Sequence, residues 1–268
     1  MNPIILYDNR FLDGVPAATD TAVGFNVLNI TDLKTFTWWK APSAGIKYLS
    51  VDCGAQKAAD SLGMIGHDLS SVGAQVSVES SDNGSDWTER LPAFTPSSDK
   101  AFLQLFTGAT ARHWRLWINS PTSAPSVAVV ILGSRMTFPF PVDAPFAPIK
   151  EQVETVGKRS KAGHLLAHHV KYKPYTISAR LSYPERTWVD SVFLPFWLDY
   201  GSDLHPFLWA WDLDTYPEDV RFVRFDQGYS YSPQVSILNY YDSINLELEG
   251  VRENVPVTVT PLPPPPVQ

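Results

Sequence analysis

The segment 76–87 constrains the fold of this chain more than any other stretch. Apolar or small side chains alternate with polar ones over residues 76–80, which is the period of a β-strand with one buried face. The run Asp82-Asn83-Gly84 follows directly, and these residue types tolerate the positive φ angles of a tight turn. The pattern predicts a half-buried strand that enters a hairpin.

Residues 114–118 alternate in the same way, with large apolar side chains at the even positions, and predict a second half-buried strand. We expect the side chains of Arg112 and Arg115 to be solvated. Trp87 comes just after the predicted turn. We expect its indole to cover one end of a β-sandwich, because burial of a large aromatic side chain is strongly stabilising.

These segments resemble the discoidin family, the C-terminal domain type of the coagulation factors. The resemblance rests on Asp52-Cys53-Gly54, on the turn from Ser81 to Trp87 and on Arg112-His113-Trp114-Arg115-Leu116. It covers roughly residues 1–135 and implies a β-sandwich that binds ligands through loops at one end and rarely catalyses.

The resemblance also implies candidate ligand-binding residues, since exposed aromatic side chains stack on sugar rings and polar groups fix their orientation. The candidates are Trp38, Trp39 and Lys40, with Asn29 and Asp32 in the preceding loop. A place in the core or at a subunit contact is at least as good an interpretation for the two tryptophans.

Composition restricts the class of protein. The formal net charge is −7, which argues against a protein that wraps nucleic acid with its whole surface. Cys53 is the single cysteine, so no intrachain disulfide can form, and its apolar neighbours predict a small buried side chain. A chain of 268 residues is long enough for two compact domains.

A proline-rich stretch over 137–148 marks the predicted domain boundary, because proline removes backbone donors from a sheet. We therefore predict a sandwich over 1–136, a second domain over 137–254 and a proline-rich tail over 255–268. The tail composition is typical of polyproline II, either as a solvated extension or as a docking peptide for a neighbouring subunit.

The second half predicts an α+β arrangement in which one helix packs on an antiparallel sheet. Residues 175–181 alternate as a strand, and aromatic and aliphatic side chains then recur at helical spacing from Glu185 to Leu198. Pro195 lies inside that run, so we expect a kink there or an end of the helix at Leu194. Three further strands are expected over 207–250. The predicted fold class is mainly β.

This order is similar to the tail-tube-type domain of distal tail proteins of long-tailed bacteriophages. The likeness rests on residues 175–181, the predicted helix, Pro206-Phe207-Leu208-Trp209 and residues 243–250. It implies a structural virion protein of the tail tip, made in the host cytoplasm. It also implies a ring of copies of the chain, possibly a hexamer, with the tail tube protein, the tail hub protein, side fibres or a host surface glycan as partners, and with DNA passing through the lumen.

Lys158, Arg159 and Lys161 form a basic cluster that, in such a ring, would be available to DNA phosphates in the lumen or to acidic neighbours. The alternative is an exposed, solvated loop, which is the commoner fate of a charge run.

No catalytic signature is present in the sequence. His164 and His168 lie four residues apart, but the glutamate that follows the first histidine in zinc proteases is missing. Paired carboxylates such as Asp199 and Asp203 are explained by helix ends and turns. We expect no enzyme activity, cofactor or metal. The alternative to the tail-tip function is a free carbohydrate-binding module with an accessory domain.

Overall fold

The computed structural model describes residues 2–237 and 239–252; the predicted proline-rich tail lies outside these residues. The described chain is mainly β-strand, with antiparallel sheets and one helix, which confirms the predicted fold class.

In the first half the strands are β1 (Ile4–Leu6), β2 (Ala17–Ala18), β3 (Trp39–Lys40), β4 (Gly45–His67), β5 (Gln75–Ser81), β6 (Thr88–Phe94), β7 (Phe102–Ser120), β8 (Ser126–Gly133) and β9 (Met136–Thr137). In the second half they are β10 (Lys150–Glu151), β11 (Glu154–Arg159), β12 (Leu165–Tyr172), β13 (Tyr175–Ser182), β14 (Phe207–Ala210), β15 (Val220–Phe225), β16 (Val235–Ile237), β17 (Tyr240–Tyr241) and β18 (Ser243–Gly250).

Two long strands, β4 and β7, build both layers of the sandwich. They pair along most of their lengths, with irregular register near residues 53–56 and 60 of β4. The start of β4 and the end of β7 form the front layer with β2, β5 and β6. The end of β4 and the start of β7 form the back layer with β8 and β3. A bulge inserts unpaired residues and bends a strand, which lets one strand serve two layers.

The core of the sandwich lies between these layers. It contains Val51 and Leu116 of the front layer, Met64 and Val130 of the back layer, and the single cysteine, Cys53, which is buried and free. The predicted burial of Cys53 is confirmed.

The second sheet has the order β10-β13-β18-β15-β14-β1-β9. β1, from the beginning of the chain, pairs with β14, and β9 lies at the edge of the sheet beside β1. The first residues of the chain are therefore part of the sheet of the second half. The boundary between 136 and 137 stays a prediction.

A hydrophobic cluster joins the sandwich to the second sheet. Ile65, Val129 and Ile131 of the back layer pack with Leu208 and Phe222 of the second sheet. Both faces of β8 are therefore covered, one by the sandwich core and the other by this cluster, and all its residues are buried. The sequence over 127–132 is continuously apolar, which is typical either of a strand buried on both faces or of the closing strand of the sandwich, and β8 is buried on both faces.

The helix covers the other face of the second sheet. It runs as an α-helix over Arg186–Trp188, a π-helical turn over Val189–Phe193 and an α-helix over Leu194–Asp199. Phe193 and Phe196 are buried against the sheet. In a regular helix the Pro195 ring would clash with the carbonyl group four residues earlier. The wider π turn precedes Pro195, which then occupies the first turn of the following α segment. Of the two expected outcomes, a kink at Pro195 or an end at Leu194, the second was wrong, because the helix continues to Asp199 with an irregular π turn before Pro195.

Two smaller two-stranded sheets complete the fold, β11 with β12 and β16 with β17. Within the described residues no helix has the length and apolar character needed to cross a membrane.

Candidate functional site: the loop end of the sandwich and the β11–β12 hairpin

Trp39, one of the predicted ligand-binding residues, has no exposed surface and belongs to the sandwich core. Its indole Nε1 donates to the backbone oxygen of Asp20 at 3.3 Å and to Thr21 Oγ1 at 3.2 Å. A ligand cannot reach the Trp39 ring in this conformation. The residue instead fixes the start of loop 20–26.

Trp38, Asn29 and Asp32 organise the preceding segment. Trp38 is half-buried and packs against the cluster between the sandwich and the second sheet. Asn29 Nδ2 donates to the Trp38 carbonyl oxygen at 2.8 Å. The Asp32 carboxylate accepts from the Lys34 backbone N–H at 2.9 Å and from Thr37 Oγ1 at 2.8 Å, as carboxylates in turns commonly do. The structure therefore brings Asn29 and Trp38 together through a hydrogen bond, whereas the Asp32 carboxylate accepts hydrogen bonds within its own turn.

Lys40 is half-buried and lies beside an exposed aromatic ring. Its ammonium Nζ lies 6.0 Å from the centre of the Phe25 ring, a cation–π contact. Phe25 is 37% exposed and follows Gly24, whose φ of +86° turns the loop outward. The Ala22 backbone N–H donates to the Lys40 carbonyl oxygen at 2.9 Å, which holds the loop against β3.

An ion pair between a buried lysine and a partly exposed aspartate supports the same loop. Lys47 Nζ lies 2.9 Å from Asp20 Oδ2, and only 8% of the Lys47 side chain is exposed. The same Nζ donates to Ser43 Oγ at 3.3 Å. We define the loop end as loop 20–26 with Lys40, Ser43 and Lys47. It presents the Phe25 ring, the Lys40 ammonium group and the Ser43 hydroxyl.

Phe25 was missed by the sequence reasoning. Its signal is weak: an apolar side chain directly after a glycine in a polar loop, with no periodicity to mark it. Its partner Lys40 was chosen for its place beside the two tryptophans, and only the fold brings loop 20–26 next to β3.

The basic cluster lies on the hairpin of β11 and β12, around its turn. Lys158 and Arg159 end β11 and Lys161 is in the turn, and all three are exposed. Arg159 Nη1 donates to the Gly163 carbonyl oxygen at 3.1 Å. Every β11 side chain is exposed, as is every β12 side chain from Leu165 to residue 171.

Four aliphatic side chains are among those exposed residues of the hairpin. Their exposed fractions are 47% for Val156, 58% for Leu165, 66% for Leu166 and 39% for Val170. The hairpin thus carries apolar side chains on its strands and positive charge at its tip.

Comparison with known proteins gives matches to solved structures only. No family model matches the sequence. No curated protein matches it either. Chitosan-binding module 1 of a chitosanase/glucanase from Paenibacillus sp. IK-5 is 18% identical, with a TM-score of 0.40, and the match covers 47% of this chain and 98% of that one. The Clostridium perfringens module CpGH89CBM32-5, solved with GalNAc-β-1,3-galactose, is 12% identical, with a TM-score of 0.41, and the match covers 47% of this chain and 99% of that one. Chitosan-binding module 2 of the Paenibacillus enzyme, solved with chitotriose, is 16% identical at a TM-score of 0.41, and the match covers 47% and 99%.

Proposed function

We propose that this chain is a structural subunit that assembles with copies of itself through the second half and presents its sandwich to a glycan. The β11–β12 hairpin carries the proposal. An isolated two-stranded hairpin is marginally stable in water, and this one leaves four aliphatic side chains exposed. A partner surface that covers them would supply the missing stabilisation.

A second copy of the chain is the partner we propose. The hairpin side chains are aliphatic along the strands and basic near the turn, while the chain as a whole is acidic, with a formal net charge of −7. Attraction between the basic tip and an acidic neighbouring copy would orient the docking. Repetition of such a head-to-tail contact gives a ring if the rotation closes.

The setting we propose is the tip of a long-tailed bacteriophage tail, as the sequence resemblance implies. There the ring would lie between the tail tube protein and the hub protein, with Lys158, Arg159 and Lys161 next to neighbouring subunits or to DNA in the lumen. The sandwich would face outward, toward side fibres or a host surface glycan. This setting places the chain in the virion.

Glycan binding is proposed for the loop end of the sandwich. Phe25 offers an exposed aromatic face for a sugar ring, while Lys40 and Ser43 offer donors for its hydroxyl groups. The Lys47–Asp20 ion pair and the Trp39 indole hold the loop in place before a ligand arrives, which lowers the ordering cost of binding.

Light scattering behind a sizing column tests the assembly, with full-length protein over a range of concentrations. We expect an oligomer whose mass falls on dilution, and a monomer for the triple variant Val156→Thr, Leu165→Thr, Leu166→Thr. Val23→Thr, which changes a fully exposed side chain of the sandwich, is the matched control and should assemble like the parent. A parent protein that is monomeric at every concentration, or a triple variant that assembles normally, contradicts the proposal.

A glycan array tests the loop end separately. We expect the parent to bind and both Phe25→Ala and Lys40→Ala to lose binding, while Val15→Ala, at another exposed apolar position, binds as before. Glycan binding by a strict monomer would favour the alternative, a free carbohydrate-binding module with an accessory domain. No binding to any glycan would remove this part of the proposal.

A further inference from the structure

A strip of large side chains lies on the outer face of the front layer. Leu49, Leu116 and Ile118 point into the core and are fully buried, so their neighbours in the strands point outward. We define the front strip as the following outward residues: Ile46, Tyr48, Trp87, Arg115 and Trp117. Tyr48 and Trp117 are register partners on adjacent strands.

Arg115 organises the middle of the front strip. Its guanidinium carbon lies 3.9 Å from the centre of the Trp87 ring and 4.4 Å from the centre of the Tyr48 ring. Its Nε donates to the Glu79 carboxylate on the neighbouring strand. These contacts keep the side chain of Arg115 only 21% exposed, so the expectation that it is solvated was wrong. They also place Trp87 on the outer face of the sheet, beside Arg115.

The turn between β5 and β6 holds Trp87 in this place. Asn83 Oδ1 accepts the backbone N–H groups of Ser85 and Asp86, each at 2.9 Å. Gly84, with a φ of +73°, donates its N–H to Ser81 Oγ at 3.0 Å. A turn fixed by its own side chains presents the ring in one orientation, so little conformational entropy is lost when something stacks on it.

None of the three hydrophobic clusters of the described residues includes Tyr48, Trp87 or Trp117. The second sheet packs on the back layer, on the opposite side of the sandwich. These aromatic side chains are half-buried by their strand neighbours and by Arg115, with part of each ring accessible. The front strip is therefore a surface that belongs to neither the sandwich core nor the contact with the second sheet.

The two arginines of this surface are paired with carboxylates, and the exposed Glu89, the register partner of Glu79, adds negative charge. Arg115 pairs with Glu79, and Arg112 forms two 2.7 Å hydrogen bonds with the Asp52 carboxylate. These hydrogen bonds hold the pKa of Asp52 well below its usual range, so the pair stays ionised at neutral pH. No unpaired charge of the front strip calls for an anion, which points to an uncharged ligand.

We propose that the front strip binds an extended, uncharged polysaccharide chain along the front layer. Three flat aromatic side chains and a stacked guanidinium match the apolar C–H faces of successive sugar rings. The polar groups of Glu79 and Asn119 flank them as partners for hydroxyl groups. The distance from the row of Ile46 to the row of Arg115 is about 13 Å at the rise of a β-strand, so the surface is longer than one sugar ring. This site shares no residue with the loop end or with the hairpin.

Affinity electrophoresis of the full-length protein tests this inference, in gels that contain hydroxyethyl cellulose, arabinoxylan or galactomannan, with polygalacturonate as the anionic comparison. We expect at least one of the uncharged polymers to retard the parent and polygalacturonate to have no effect. Trp117→Ala and Tyr48→Ala should each weaken the interaction about tenfold, because a stacked ring is lost. Trp117→Tyr, which keeps a ring, should retain most of it.

Val15→Ala, at an exposed apolar position outside the front strip and the loop end, is the matched control and should be retarded like the parent. Near-native circular dichroism and melting temperature establish that each variant is folded. The inference is overturned if no uncharged polymer retards the parent, if only polygalacturonate does, or if folded Trp117→Ala and Tyr48→Ala variants migrate like the parent. If Phe25→Ala alone lost retardation, the polysaccharide would be assigned to the loop end. That result would overturn polysaccharide binding by the front strip, and the proposed function would still stand.

Discussion

Ile5, near the start of the chain, lies directly opposite Trp209 in the second sheet. On its other side the same residue faces Met136, which follows the sandwich. Ile5 and Trp209 are both fully buried. The two ends of the sandwich segment thus enter the second sheet side by side, and the second sheet cannot be complete without the first strand of the chain.

Ile5→Ala should therefore destabilise the second half although it lies at the beginning of the sequence. Loss of a buried isoleucine side chain typically costs about 2–5 kcal/mol of unfolding free energy. Urea unfolding followed by tryptophan fluorescence would measure it. Ile46→Ala, at a 51% exposed position, is the control and should change the midpoint little. A midpoint for Ile5→Ala equal to the parent would contradict the role of β1.

Gly133 should not tolerate a side chain. A Cβ atom placed on it would lie 1.9 Å from the backbone oxygen of Asp8, where the end of β8 passes the segment after β1. Backbone atoms cannot move aside as a flexible side chain can, so we expect Gly133→Ala to cost at least about 1–3 kcal/mol of unfolding free energy. Gly108→Ala is the matched control, because the nearest atom to its Cβ is 3.6 Å away. Thermal melts of the two variants would measure the difference in stability. Equal melting temperatures would contradict the close approach of Gly133 to the Asp8 backbone.

Local patterns in the sequence predict much of this fold. The alternation at 76–80 appears as β5, the apolar run 127–132 as the fully buried β8, and the helical spacing after Glu185 as the helix that packs on the second sheet. Each of these signals is a periodicity within one element, which depends only on which face is buried.

The remaining features depend on register between distant segments. The pairing of Ile5 with Trp209 has no local signal, because a short apolar strand carries no information about its partner. For the same reason Trp87 was expected at the end of the sandwich, whereas its ring stacks on Arg115 at the outer face. Among the predicted ligand-binding residues, Lys40 lies beside the exposed ring of Phe25. The loop that carries Phe25 is held next to β3 by tertiary contacts alone, such as the hydrogen bond from the Ala22 N–H to the Lys40 carbonyl oxygen, and these have no local signal in the sequence.

His67 should make the protein sensitive to acid. It is fully buried, and burial lowers its pKa from 6.5 to about 4. Because the folded pKa lies below the unfolded value, the unfolded chain binds a proton first as pH falls, and stability is lost between pH 6.5 and 4. A shift of this size corresponds to about 3 kcal/mol at the acid end of that range.

The measurement is the difference in unfolding free energy between the parent and His67→Gln at several pH values. Carboxylate titrations contribute to both proteins and cancel in the difference. We expect the parent to lose stability relative to the variant from pH 6.5 to pH 4. A difference that does not change with pH would show that the pKa of His67 is the same in the folded and the unfolded chain.

Cys53 should react slowly with thiol reagents in the folded protein. Its side chain is buried, with Sγ 3.7 Å from the Arg10 carbonyl oxygen, and burial raises the pKa of the thiol from 9.0 to about 11, with a smaller contribution from the Asp13 charge. Only the thiolate attacks a disulfide reagent, so at pH 8 the reactive fraction falls roughly a hundredfold from that of a free thiol.

Labelling with a coloured disulfide reagent should be slow at pH 8, should accelerate as pH rises toward 11, and should be fast at pH 8 in denaturant, where the thiol is exposed. Cys53→Ser, which should take up no label, gives the background. Rapid labelling of the folded parent at pH 8 would show that the thiol is accessible and ionised, contrary to its place in the sandwich core.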